Sequence, residues 1–130
     1  MNVLKTRLAV LIATLSLALV ACGGGAGPGA VYTDIMRNIE KGNIEEAMAS
    51  IQIEGSAVSV MGSDKIKTML VEVSKDISRR GGIKNIKILS EDIEGVSAEI
   101  TAETTMGDGS VETDDINFTK IDGKWMMKLD

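Results

Sequence analysis

The stretch "RRGGIKNIKILSEDIEGVSAEITAET", residues 79–104, marks the point at which a helical pattern gives way to strands. Gly81 and Gly82 follow a basic pair, and this combination favours the C-terminus of a helix. Beyond them apolar and polar residues alternate, strictly so over residues 96–104. A period of two is typical of a half-buried strand. The stretch therefore predicts an α+β chain, with helices before the glycines and strands after them.

Turn residues divide the C-terminal part into four predicted strands. "GDG" at 107–109 and "DG" at 122–123 favour tight turns between antiparallel neighbours. In the third strand Val111 lies out of phase with Phe118, which predicts a β-bulge near Asp114-Asp115. The predicted strands, which together form an antiparallel meander, span residues 83–89, 96–104, 110–120 and 124–129.

Three amphipathic segments precede this sheet. The first spans 31–41 and is ended by Gly42, the second runs from Ile44 to about residue 51, and the third begins at 63 or 64 and ends at the basic pair. For residues 53–63 a short strand, an irregular lid and a broken helix all remain open. The predicted fold packs these helices on one face of a curved four-stranded antiparallel sheet.

The N-terminus has the pattern of an export signal. Lys5 and Arg7 precede an apolar run, residues 8–20, which is too short to span a bilayer comfortably. The run ends in "LVAC", residues 19–22, which resembles the lipobox of bacterial lipoproteins, whose cysteine is acylated. We therefore predict a signal peptide at 1–21, a lipidated Cys22 with a Gly-rich tether at 22–30, and one domain at 31–130. An ordinary signal peptide with an incidental cysteine is the alternative.

The net charge and the cysteine content limit which partners the domain can bind and where the protein can be located. The chain has 14 Lys and Arg against 19 Asp and Glu, and loss of Lys5 and Arg7 with the signal leaves 12 against 19, a net charge of −7. Such an acidic domain does not fit nucleic acid, so we expect membrane attachment through acyl chains on Cys22. Cys22 is the only cysteine, which excludes a disulfide. We predict a bacterial envelope lipoprotein, in the outer membrane facing the periplasm if the cell is Gram-negative.

Three further stretches support a family resemblance. The segments "KGNIEEAM" (41–48), "RRGGIKNIKILSEDIEG" (79–95) and "INFTKIDGKWMMKLD" (116–130) resemble a bacterial lipoprotein family known as domain of unknown function 4878. That family is a branch of the nuclear-transport-factor-2-like and cystatin-like superfamily. The resemblance implies a cone-shaped cavity between helix and sheet, which other members use for catalysis, ligand binding or subunit contacts. The family itself has no established activity.

The residues offer little for catalysis or metal binding. The chain has no histidine and one tyrosine, Tyr32, which we interpret as a core residue with its hydroxyl at the rim. The acidic group Asp108, Glu112, Asp114 and Asp115 fits a solvated hairpin better than its alternative, a calcium site. We therefore assign no catalytic residue, no metal ligand and no cofactor.

The remaining candidates concern the implied cavity. Methionine-rich linings adapt to apolar ligands, although methionine is also ordinary core filler. The candidate cavity-lining residues are Tyr32, Met36, Met69, Phe118 and Trp125. We predict a non-enzymatic binding or interaction module whose partner is a second copy or another envelope protein. The alternative is a binder of an apolar small ligand, or an enzyme, that uses the cone cavity.

Overall fold

The computed structural model describes residues 26–53 and 56–129. In chain order, its helices and strands are α1 (Pro28–Lys41), α2 (Ile44–Met48), β1 (Ile51–Gln52), α3 (Ser56–Arg79), β2 (Ile83–Glu94), β3 (Ser97–Met106), β4 (Val111–Ile121) and β5 (Lys124–Lys128). The predicted signal peptide and Cys22 lie outside the described residues. Within those residues, none of the helices is long and apolar enough to cross a membrane.

The strands form one mixed sheet in the order β1-β5-β4-β3-β2. Strands β2 to β5 are an antiparallel meander, and β1 pairs in parallel with β5 through Ile51 and Gln52. The helices pack on one face of this sheet, as predicted. The strand count differs from the predicted four, because a two-residue strand is too short to show a period in the sequence.

Two apolar clusters fill the space between helices and sheet. One joins the three helices to the start of β2 and the end of β3, and the other covers the inward face of β3, β4 and β5. Met36 of α1 packs against both clusters, so the helix connects them. The inward positions of β3 alternate with exposed or half-buried ones, as its sequence pattern predicts.

Each of the three helices differs from its predicted range at one end. α1 begins at Pro28 rather than at residue 31, so three residues assigned to the tether belong to the helix. α2 ends at Met48, and Ile51 pairs with β5 instead of extending the helix. The segment left open before the third helix is helical from Ser56, and a non-helical Gly62, with φ of 74°, kinks α3 where the predicted helix begins.

The predicted β-bulge in β4 is wrong. β4 pairs with β3 in one unbroken register from Val111 to Thr119, and the irregularities lie instead in β2, after Ile83 and after Ile88. Val111 is out of phase with Phe118 simply because it lies on the solvent-facing side of the sheet, where it is exposed. An exposed apolar residue on the outer face therefore produced the same sequence pattern as a change of register.

Candidate functional site

An open cavity of about 470 Å³ lies between α3, α1 and the sheet. Five apolar side chains line it, and we call this surface the methionine groove: Met36, Met69, Val73, Ile77 and Met106. Met69 and Val73 are 43% and 38% exposed, although they lie at the helical spacing that predicted a buried face. Exposed apolar side chains along one wall of a cavity are characteristic of a surface that receives a ligand or partner.

Arg80 joins the two sides of the methionine groove at its opening. It follows the last turn of α3 and donates one hydrogen bond to Glu112 Oε1 at 2.7 Å and another to Ser110 Oγ at 2.7 Å. The hydrogen bond to Glu112 raises the pKa of the Arg80 guanidinium. Asp76 lies 3.6 Å away and adds a weaker attraction. The arginine therefore ties the end of α3 to the start of β4 across the mouth of the groove.

Two glycines let the same helix end approach the β3–β4 hairpin. A Cβ on Gly107 would collide with the backbone carbonyl of Gly81. The backbone also closes this contact, since Gly107 N–H donates to Gly82 O and Asp108 N–H donates to Arg80 O, both at 2.8 Å. Sequence reasoning assigned these residues only to turns, and nothing local reveals that two turns distant in sequence meet.

Tyr32 lies beside the groove and not in it. The residue is 5% exposed and packs with Phe118 and Trp125 in the cluster on the inward face of the sheet. Burial raises the pKa of its phenol; the Thr104 hydroxyl acts in the opposite direction, and the negative charge of Asp114 raises the pKa further. The two hydroxyls do not meet the geometry of a hydrogen bond, and Thr104 Oγ1 is buried without a partner in the described part of the chain.

The five predicted cavity-lining residues do not share one cavity. Met36 and Met69 line the methionine groove, whereas Tyr32 lines a neighbouring cavity of about 420 Å³ between α1, β4 and the end of β5. Phe118 contacts a third, polar depression, and Trp125 is buried, with the Lys120 ammonium 5.4 Å from its ring centre. Sequence reasoning missed three residues of the groove, Val73, Ile77 and Met106. Apolar residues at helical or strand spacing also fit a core, so the pattern did not distinguish them as lining a cavity.

The acidic group weighed as a calcium site is dispersed. Asp108 accepts hydrogen bonds from the Ser110 hydroxyl and backbone, which lower the pKa of its carboxyl, and Glu112 is bound to Arg80. Asp115 accepts a hydrogen bond from Thr101 on the outer face of the sheet, at 2.7 Å. Among residues 26–53 and 56–129 no group of three or more potential ligands is placed to hold a metal ion.

The family described as a domain of unknown function, number 4878, matches residues 20–128. The chain belongs to this family. Comparison with curated proteins found no match.

Solved structures include a similar fold. A crystal structure of a Campylobacter jejuni protein named "Putative NTF2-like transpeptidase" superposes with a TM-score of 0.70. The two share 22% sequence identity, and the match covers 81% of this chain and all of the other. The likeness establishes the nuclear-transport-factor-2-like fold that the resemblance implied. The methionine groove therefore lies between helices and sheet, where the superfamily resemblance implied a cavity.

Proposed function

We propose that this domain is a non-enzymatic binding module of the bacterial envelope that takes an apolar small ligand in the methionine groove. The observation that carries the proposal is the exposure of Met69 and Val73 along a cavity of about 470 Å³. That volume lies in the range of small-molecule sites, of order 300 to 1,000 Å³. Methionine side chains are flexible and polarisable, so they adapt to ligands of varied shape.

Acyl transfer, suggested by the name of the Campylobacter protein, has little support in this chain. Such chemistry needs a nucleophile beside a base. The mature chain has no histidine, and the thiol of Cys22 would be consumed by acylation. Ser110 is the serine held most closely, but its hydroxyl donates to Asp108 at 2.5 Å and accepts from Arg80 at 2.7 Å. Asp108 is placed to accept the proton of this hydroxyl, but the hydrogen bond from Arg80 occupies a lone pair of the oxygen that would have to attack.

A proton-transfer enzyme built on Tyr32 is also less well supported. That chemistry favours an enclosed site with a carboxylate beside the phenol. Asp114 is close enough to influence Tyr32, but its side chain is exposed and the cavity that both residues line is open to solvent. Water would therefore compete at the reacting groups.

We also propose that Cys22 carries acyl chains that hold the domain at a membrane surface. The first turn of α1 begins at Pro28, so five residues, 23–27, separate the anchor from the domain. At the greatest extension of a chain, these five residues span about 18 Å. Feeding cells an alkyne analogue of palmitate should label the wild-type protein and leave Cys22→Ala unlabelled; labelling of the variant would overturn the anchor.

The groove is tested with N-phenyl-1-naphthylamine, a neutral apolar dye whose fluorescence rises on leaving water. We expect the detergent-solubilised full chain to bind the dye, and Met69→Glu or Val73→Glu to weaken binding about tenfold. Leu89→Glu is the matched control, since Leu89 is 46% exposed and lies outside the groove. Equal loss in all three variants would point to binding elsewhere and overturn the proposal.

A further inference from the structure

The strand β4 has one paired edge and one edge that is partly free. Its pairing with β3 runs from Val111 to Thr119, but its pairing with β5 covers only Phe118 to Ile121. Over residues 111–115 the edge on the β5 side has no backbone partner within residues 26–53 and 56–129. A free edge of this kind presents unpaired N–H and C=O groups to other chains.

The direction of the unpaired groups follows from one hydrogen bond. Lys120 N–H donates to Val96 O at 2.7 Å, so the backbone of Lys120 faces β3. Successive residues of a strand direct these groups to opposite sides, and the register between β3 and β4 is unbroken. The N–H and C=O groups of Val111, Thr113 and Asp115 therefore face the free edge.

A cavity adjoins this edge where β5 ends. It measures about 420 Å³ and is lined by the apolar side chains of Ile116, Met127 and Leu129, together with Tyr32 and Asp114. A strand added beside β4 would continue the line of β5 and place alternate side chains over this cavity.

The charge of this edge indicates which kind of chain can pair with it. Three of the six residues in 111–116 are acidic, Glu112, Asp114 and Asp115, and none is basic. Pairing of two copies through this edge would bring six carboxylates together, and like charges across strands are destabilising. A segment whose basic side chains lie on the outer face instead meets opposite charge there, since Asp115 points outward beside Thr101.

We propose that the free edge of β4 binds an extended peptide segment, with basic and apolar residues in alternation, as an added strand. Its backbone pairs with Val111, Thr113 and Asp115, its basic side chains lie on the outer face beside Asp115, and its apolar side chains lie on the inner face, where one of them enters the adjoining cavity. The occupant is a segment of a partner protein. This surface is separate from the methionine groove, and the inference stands whether or not the groove binds a ligand.

The probe is the fluorescein-labelled peptide Lys-Val-Lys-Val-Lys-Val-Lys, titrated by anisotropy against the detergent-solubilised full chain. Proline at Thr113 removes a donor from the free edge and obstructs an added strand, so we expect Thr113→Pro to weaken binding at least about tenfold. Asp115→Asn should weaken it about threefold at low salt, whereas Glu99→Gln, on the outer face of β3, should change it less than about twofold. Equal affinities for Thr113→Pro and the wild type would overturn the proposal.

A second peptide separates strand addition from simple charge attraction. Lys-Val-Lys-Pro-Lys-Val-Lys has the same charge but cannot complete a ladder, so we expect its affinity to be at least about tenfold lower. Equal binding of both peptides would overturn the added strand. Hydrogen exchange gives a direct readout in the wild type, because the first peptide should slow exchange at the Thr113 and Asp115 amides; unchanged exchange in the presence of bound peptide would also contradict the proposal.

The test of peptide binding at the free edge can be separated from the test of ligand binding in the methionine groove. Thr113→Pro should retain its thermal unfolding temperature within a few degrees and bind N-phenyl-1-naphthylamine as the wild type does. Loss of dye binding by the same variant would mean that the fold is damaged, and Asp115→Asn then decides the question: reduced peptide affinity with dye binding intact supports the edge, and unchanged affinity overturns it.

Discussion

The sheet has two long edges, and the chain treats them in opposite ways. At the β2 edge, Ile83 donates its N–H to Glu40 Oε1 at 2.8 Å and accepts a hydrogen bond on its carbonyl from Arg37 at 3.0 Å. Further along, Glu91 Oε1 accepts from Gly29 N–H at 3.0 Å. At the β4 edge, the backbone groups of Val111, Thr113 and Asp115 have no hydrogen-bond partner within the described residues. Helix α1 therefore binds the β2 edge at Ile83 and Glu91, whereas the first half of β4 has no backbone partner on its β5 side among the described residues.

The difference teaches that the exposure of an edge depends on what packs beside it. β2 carries exposed side chains along most of its length, yet side chains of α1 bind its backbone at Ile83, and the Glu91 side chain accepts a hydrogen bond from the backbone of α1. β4 is equally polar in sequence, but β5 is too short to cover its first half. Acidic side chains then protect β4 from pairing with itself, as charged residues do on many natural edges.

The largest effect is expected where the hairpin that carries the free edge is joined to α3. Gly107→Val places a side chain against the carbonyl of Gly81, so the helix end and the hairpin must separate. We expect a loss of about 3 kcal/mol in the free energy of unfolding, measured in urea. Gly123→Ala is the control, since its added methyl meets no atom within 4 Å and only the φ of 78° opposes it; an equal loss in both variants would contradict the close contact.

Adjacent prolines test the assignment of the two edges of β4. Asp114→Pro removes an N–H that faces β3 and should cost about 2 to 3 kcal/mol of unfolding free energy. Thr113→Pro removes an N–H that faces the free edge and should cost less than about 1 kcal/mol. Urea unfolding of both variants provides the measurement, and equal costs would show that the two edges do not differ.

The contact of α1 with the β2 edge predicts that the stability of the fold depends on pH through Glu40. Partial burial acts to raise the pKa of this carboxyl, but the hydrogen bonds from Ile83 and Arg37 outweigh it and lower the pKa from its usual value of 4.5. A lowered pKa stabilises the fold above the unfolded value, and this contribution is lost as the pH falls through the folded value. Glu40→Gln should cost about 1 kcal/mol at neutral pH and almost nothing in acid, once the pH lies below the lowered pKa of the folded state.

Urea unfolding at the two pH values checks this expectation, and Glu99→Gln, on the outer face of β3, serves as the control. A difference between wild type and Glu40→Gln that persists unchanged in acid would show that the carboxylate charge does not hold the β2 edge.

The smallest effect concerns Tyr32, which lies beside the free edge. Because it is the only tyrosine, its ionisation can be followed by ultraviolet absorption without interference from other phenols. Burial and the nearby Asp114 raise its pKa above the usual 10.0, so less than half of the phenol should be ionised at that pH. Asp114→Asn should lower the pKa, since it removes a negative charge; an ordinary titration in the wild type would place Tyr32 at the surface.

Much of the fold could be predicted because its signals are local. Gly42 ends α1 in a left-handed conformation, with φ of 79°, as its position after an amphipathic segment indicates. Strict alternation identified β3, and its inward residues Ala98, Ile100 and Ala102 are buried. The predictions that failed had weak local signals: β1 is two residues long, and Val111 is an apolar residue on an outer face.

The residues of the candidate site could be predicted less well from local sequence patterns. Met36 and Met69 line one cavity, the methionine groove, whereas Phe118 and Trp125 pack in the cluster on the inward face of the sheet. An apolar residue at helical or strand spacing looks the same whether a neighbour covers it or not. Only packing distinguishes them, which is why Met69 is exposed while Ile77, at the same kind of position on α3, is buried.

The sequence by itself determined that helices precede strands, where the turns fall and which residues of β3 face inward, because these depend on backbone preferences and on the period of a few neighbouring residues. It also determined the family. Only the tertiary structure decided that α1 binds the β2 backbone at Ile83, that Arg80 joins α3 to β4, and that the first half of β4 has one edge without a backbone partner among the described residues. Each of these depends on contacts between residues about thirty or more positions apart, and local preferences carry no information about such contacts.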